Sequence, residues 1–150
     1  MKIEEELKSR KITDEYQKLL LNILFSANWL EDKTAHIFKS TNITSHQYNV
    51  LRILRGSLGT PLPAFEIQSR MISKNSNVTR IIEKLVAKKL VHKKFNDNNR
   101  RMIEVTITQE GLDILKQLDD VIPDNYAGLF NNISREEANL CSELLDKIRE

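Results

Sequence analysis

The chain has 150 residues, 40% of them hydrophobic, and a formal net charge of only +2, enough apolar content for one core of ordinary domain size. It has no apolar run near the ~20 residues of a membrane span. A single cysteine, Cys141, excludes an internal disulfide and a thiolate metal cluster. The start, MKIEEELKSRK, lacks the apolar stretch of a secretory signal, so a cytoplasmic protein without membrane contact is expected.

In chain order, residues 1–12 are polar and are expected to fray. From Asp14 to Phe38, Tyr16, Leu19, Leu20, Ile23, Leu24, Ala27, Leu30, Ile37 and Phe38 recur at helical spacing without a breaker, and Leu21 and Phe25 widen the apolar arc. Such a helix would be ~37 Å long at 1.5 Å per residue, more than a small core needs. Its surplus surface, centred on Tyr16, Leu20, Ile23 and Leu24, is therefore expected to cover a second subunit. Lys39 to Ile43 is a break. Thr44 or Ser45 can cap the next helix with Gln47 as capping-box partner, and Tyr48, Leu51 and Leu54 face a core to about Arg55. Gly56, Gly59, Pro61 and Pro63 form a loop. A short helix from Ala64 to Ile72 turns Phe65 or Ile67, and Met71, inward. Ser73-Lys74-Asn75 then turns the chain into a further helix.

The stretch from Ser73 to Ile107 organises the rest. Val78, Ile81, Ile82 and Leu85 form one apolar helical stripe, with Ser76, Arg80, Glu83 and Ala87 opposite and Asn77, Thr79 and Lys84 flanking. The period then changes. Val91 and Phe95, and Ile103, Val105 and Ile107, alternate as two half-buried strands around the turn-forming run Asn96-Asp97-Asn98-Asn99-Arg100-Arg101. Helix, turn, helix, strand, basic-tipped hairpin, strand is the order of a winged helix-turn-helix. The fold class is mainly α (α+β), with a two-stranded wing and dimerisation helices at both ends. Charge follows the same division. From Glu66 to Arg101 there are ten Lys/Arg against three acids, a net of +7, which leaves −5 for the remainder of the chain. A solvated helix face would also be basic, but this concentration on helix-plus-hairpin is the footprint of a double-stranded DNA partner. Asn75, Ser76, Asn77, Thr79 and Arg80 suit base edges, and Lys84 suits phosphate. Asn98, Asn99, Arg100 and Arg101 form the wing contact, with Arg101 reaching a minor groove. Glu83 should pair with Arg80 or a nearby lysine, or face a cytosine amine.

After the wing, Thr108 caps a helix striped by Leu112, Leu115 and Leu118, which Pro123 should break. Tyr126, Leu129, Phe130 and Ile133 make a short apolar segment. Ser134 and Glu137 form a capping box for a last helix faced by Leu140, Leu144, Leu145 and Ile148, of which Leu140 and Leu144 are assigned to the subunit interface. The whole reads as a single domain over residues 1–150. Its DNA-binding lobe covers about 44–107, and its dimerisation helices cover about 14–39 and 109–149.

Four stretches carry a recognisable pattern: Ile43-Thr44-x-x-Gln47-Tyr48-x-Val50-Leu51, Asn77-Val78-Thr79-Arg80-Ile81-Ile82-x-x-Leu85, Leu90-Val91 and Arg101-x-x-x-Val105-x-Ile107-Thr108-x-x-Gly111. In this order and spacing they resemble the MarR family of bacterial transcription regulators, over roughly Leu19 to Leu118. The resemblance implies a homodimer whose terminal helices pack together. It implies a pseudo-palindromic operator, and a repressor released by a small, commonly aromatic ligand or by an oxidant. Three departures stand out. Lys89 occupies a place usually taken by glycine, Asn99 stands where the wing usually has an acid paired to its arginine, and the turn before the reading helix is one residue longer.

No enzyme motif appears. His36, His46 and His92 are scattered over three elements, and there is no His-x-x-x-His, Cys-x-x-Cys or phosphate loop, so no catalysis, metal or cofactor is expected. Cys141 lies among acids, which disfavour a thiolate, so a buried or interface thiol is expected rather than a redox sensor. Trp29, His36 and Tyr48, with Phe38, are candidates for an effector cleft between the dimer helices and the DNA lobe. The alternative functions are a winged-helix protein-interaction module and a nonspecific DNA binder.

Overall fold

The computed structural model describes residues 2–96, 99 and 102–150. The chain divides into two compact units, residues 1–44 and 45–150.

The first unit is built on helix α2, Glu15–Thr34. Asp14 caps it: Gln17 N–H donates to the Asp14 carboxylate at 2.6 Å. The helix gives way to a 3₁₀ turn over Ala35–Phe38, so the α-helical part is shorter than the apolar spacing suggested. The expectation of a frayed start is corrected. Residues Ile3–Glu6 form a short helix α1; Ile3 is buried and Glu4 pairs with Lys18 of α2 at 2.9 Å. One buried apolar side chain and one ion pair hold a segment that polarity alone assigned to solvent.

The second unit begins with α3, Ser45–Gly56, whose Val50, Leu51 and Leu54 are fully buried. The predicted loop follows, with Gly59 at φ +86° and Leu58 at φ +51°. It contains an element that the sequence reading lacked: strand β1, Leu62–Pro63, pairs with β3. Helix α4, Ala64–Arg70, buries Ile67, with Met71 buried just beyond its end, while Phe65 stays exposed. Helix α5, Val78–Ala87, buries Val78, Ile82 and Leu85. Strands β2, Val91–Phe95, and β3, Ile103–Ile107, complete an antiparallel sheet of order β1-β3-β2, so the two-stranded wing grows from a three-stranded base. The register sets Val91 opposite Ile107, Lys93 opposite Val105 and Phe95 opposite Ile103. Phe95 does not continue the buried alternation; it is exposed because the hairpin projects from the core.

Helix α6 runs through Gln109–Leu129. Pro123 does not break it, contrary to expectation. The proline removes one backbone donor, yet Leu115, Leu118 and Ile122 are buried on one face up to the residue before it, and this packing keeps the chain helical through it. Asn125 donates its side-chain amide to the Val121 carbonyl at 2.9 Å within the same turn. Tyr126 and Leu129 are thus the last turns of α6 rather than a separate segment. Helix α7, Arg135–Ile148, opens on the predicted box, with Ser134 and Glu137 bonding each other's backbone N–H.

Candidate nucleic-acid interface

The turn between α4 and α5 is pinned on several sides. Ile72 N–H donates to the Asn49 side chain of α3 at 3.0 Å, and the Gln68 amide donates to the Lys74 carbonyl at 3.2 Å. The Lys74 ammonium reaches back to the Ser69 carbonyl. Asn75 and Ser76 lie in this turn, Asn75 exposed and Ser76 half-buried, rather than on the helix. Thr79, Arg80 and Lys84 are exposed on α5, as their opposition to the buried stripe requires.

Asn77 takes a different role from the one read in the sequence. Its side-chain oxygen accepts the Arg80 N–H at 3.0 Å and so caps α5. Bidentate pairing with adenine needs that oxygen, so the side chain sets where the helix starts. Asn77→Ala should cost about 1 kcal/mol of stability, and Asn77→Asp should keep most of it. Thermal unfolding of the two variants beside the parent checks this; equal melting temperatures for Asn77→Ala and the parent would remove the cap.

The far end of α5 is tied to α6. Lys89 has φ +59°, the left-handed conformation in which a side chain costs about 1 kcal/mol. The geometry is the helix-ending turn usually given to glycine, with Leu90 N–H donating to the Leu85 carbonyl at 3.0 Å. Thr108 secures it from outside: its N–H donates to the Leu90 carbonyl at 3.1 Å and its hydroxyl to the Lys89 carbonyl at 2.9 Å. The same hydroxyl oxygen accepts Gly111 N–H at 3.1 Å, which makes Thr108 the predicted cap of α6.

In the wing, Asn96 and Glu104 do bracing that no sequence motif announced. Asn96 accepts Asn99 N–H at 2.9 Å and donates its amide to Glu104 at 2.6 Å. Lys94 lies 3.7 Å from the other Glu104 oxygen. Glu83 pairs with Lys93 of β2 at 2.5 Å, which realises the expectation that it would find a nearby lysine. Asn98, Arg100 and Arg101, assigned to the wing contact, lie outside the described residues, as does Asp97.

The other predicted residues divide by unit. In the first, Tyr16, Leu20 and Leu24 are exposed, with Ile23 half-buried. Trp29 lies beneath the Lys33 ammonium, 5.9 Å from the ring centre, and His36 is exposed on the 3₁₀ turn. In the second, Tyr48 is half-buried with the Arg52 guanidinium 5.7 Å from its ring centre; burial raises the pKa of its phenol. Tyr48 neighbours a contact that sequence reading missed, in which Arg55 of α3 grips both carboxylate oxygens of Asp119 on α6 at 2.6 and 3.2 Å. Sixty-four positions separate the partners, so no local pattern could reveal it. Leu140 and Leu144 are exposed on α7. Cys141 is exposed as well; of the buried or interface thiol expected, burial within the chain is not found. Among the described residues no three His, Cys, Asp or Glu side chains gather to hold a metal, and no helix is long and apolar enough to cross a membrane.

A two-helix reading unit followed by an antiparallel hairpin defines a winged helix-turn-helix protein. Residues 43–103 match the profile of the MarR family. The HTH-type transcriptional regulator MhqR of Bacillus subtilis (strain 168) is 27% identical over 116 residues, which cover 75% of this chain and 76% of that protein. The fold is shared with a cysteine-to-serine mutant of MarR from E. coli, solved in complex with operator DNA, at TM-score 0.77 and 22% identity over 91% of this chain and 99% of that one. It is also shared with the organohalide-sensing regulator RdhR-CbdbA1625 in its 2,4-dichlorophenol-bound form, at TM-score 0.80 and 22% identity over 91% and 81%. The chain is thus similar to the MarR family over residues 43–103, a stretch that runs from just before α3 into β3.

Proposed function

We propose that this protein is a sequence-specific, operator-binding transcription regulator, acting as a homodimeric repressor in the cytoplasm and released by a small aromatic ligand. The observation that carries the reading is the exposed face of α5: Thr79, Arg80 and Lys84 point away from the buried stripe, on a helix capped by Asn77 and followed by a lysine-rich hairpin. Arg80 and Thr79 take base edges, Lys84 takes phosphate, and Asn75 and Ser76 line the approach. Arg100 and Arg101 supply the wing's charge, with Arg101 in an A·T-rich minor groove. Support for an operator comes from the E. coli MarR mutant, whose structure was solved with operator DNA. Support for a phenolic or similar aromatic effector comes from the dichlorophenol-bound RdhR structure. Residues 44–107 serve as the DNA lobe, and the helices before and after it serve in dimerisation. The apolar side chains exposed on α2 and α7 support this.

Selection from random DNA tests the reading. An inverted repeat with half-sites ~10 base pairs apart, centre to centre, is expected. Arg101→Ala should weaken binding to all sequences and lower the salt dependence by about one ion. Enrichment of no motif would leave a nonspecific binder, and no binding at low salt would leave a protein-interaction module.

A further inference from the structure

The acid on the reading face has a use that the function above does not absorb. Between Ser73 and Asn96 there are seven Lys/Arg residues and one acid, Glu83. Glu83 stands three residues after Arg80 and four after Thr79, on the same exposed face of α5. A carboxylate there repels any phosphate pressed against the helix. Its oxygen lies 2.5 Å from the ammonium of Lys93 on β2, with the two side chains 50% and 36% exposed.

Resting on the DNA-binding reading, we propose that Glu83 is a specificity-determining residue: it holds Lys93 out of the set of phosphate contacts and so suppresses binding driven by charge alone. Nonspecific DNA binding comes almost entirely from cations that neutralise phosphates and release counterions. The Glu83–Lys93 pair offers a phosphate no net charge. To recruit Lys93, the backbone would have to displace the carboxylate and then lie beside it. In a register-matched major groove, α5 faces base edges instead, and the pair stays intact beside the contacts made by Thr79 and Arg80. The acid therefore disfavours the loose complex more than the seated one.

The test measures affinity for the selected operator and for random duplex DNA across a salt series, with the parent, Glu83→Gln, Lys93→Gln and the double variant. For Glu83→Gln the random-DNA slope should steepen by about 0.9 per lobe, and the affinity at 0.1 M salt should rise about 8-fold for each lobe engaged, the effect of one added phosphate contact relative to 1 M salt. Operator affinity should change little, so the specificity ratio falls. Lys93→Gln should leave the parent's slope unchanged, and the double variant should return to it. Both side chains are half in solvent, so melting temperatures should match throughout. A Lys93→Gln variant that loses one ion would show Lys93 already on phosphate and overturn the proposal. So would a double variant that stays steep, or an equal gain on both DNAs. A parent that binds operator while Glu83→Gln behaves identically overturns this inference alone; a parent that binds no DNA overturns the functional reading with it.

Discussion

A Gly111→Ala variant should melt roughly 4–10 °C below the parent, the shift expected from an overpacking cost of about 2–3 kcal/mol in a chain of this length. A Cβ at Gly111 would sit 2.4 Å from the Leu90 carbonyl oxygen and 2.8 Å from Cγ1 of Ile107. The first contact is backbone and cannot rotate away. That carbonyl is also the acceptor for Thr108 N–H. Relief therefore means moving the Lys89–Leu90 turn or the first turn of α6. Either motion loosens the attachment of α5, whose last turn ends in that segment. DNA affinity should fall along with stability. Gly128→Ala, also in α6 but with open space around its Cβ, is the control and should be neutral or stabilising by up to about 1 kcal/mol. Thermal unfolding of the three proteins decides the matter. If Gly111→Ala melts with the parent, the close approach at Leu90 is not a constraint on the fold.

A Leu20→Glu variant should dissociate the proposed dimer without unfolding the protomer. Tyr16, Leu20 and Leu24 follow one another at intervals of four on α2 and are 85%, 56% and 54% exposed in the single chain. Leu140, Leu144 and Ile148 repeat the spacing on α7 at 56%, 53% and 54%. Stripes of large apolar side chains left this open call for cover. A glutamate at position 20 is well solvated in the protomer, whereas in the dimer it is an unpaired charge without water. The cost, on the order of 3–5 kcal/mol, weakens association by roughly 10²–10³ or more. Light scattering at micromolar concentration should find a dimer for the parent and a monomer for the variant, with helical circular dichroism retained. A variant that remains dimeric places the interface elsewhere; a monomeric parent removes the homodimer from the proposal.

The elements whose signal is local were legible from the residues alone. The stripe Val78–Ile82–Leu85, the strands around Val91 and Val105, the caps Thr108 and Ser134, and the exposed face bearing Thr79, Arg80 and Lys84 all follow from short-range periodicity or side-chain chemistry. The left-handed turn at Lys89 was legible as well, because a family pattern with glycine there marks a backbone demand that the lysine must meet. Packing in three dimensions set the features that local signals understate or contradict. Strand β1 is two residues in a Pro/Gly loop, too short for any period, and exists because β3 offers it an edge. Pro123 stays in a helix because the buried stripe ending at Ile122 outweighs one lost hydrogen bond. Ile3 anchors a polar segment through burial that composition averages away. Asn77 reads as a DNA-facing amide by type but is held by the Arg80 N–H as a cap. Arg55–Asp119, Lys93–Glu83 and Asn96–Glu104 join partners that only the packed chain brings within reach. Local propensity is read from one residue's neighbours in sequence, whereas a charge or amide finds its partner among neighbours in space, and the fold alone supplies those.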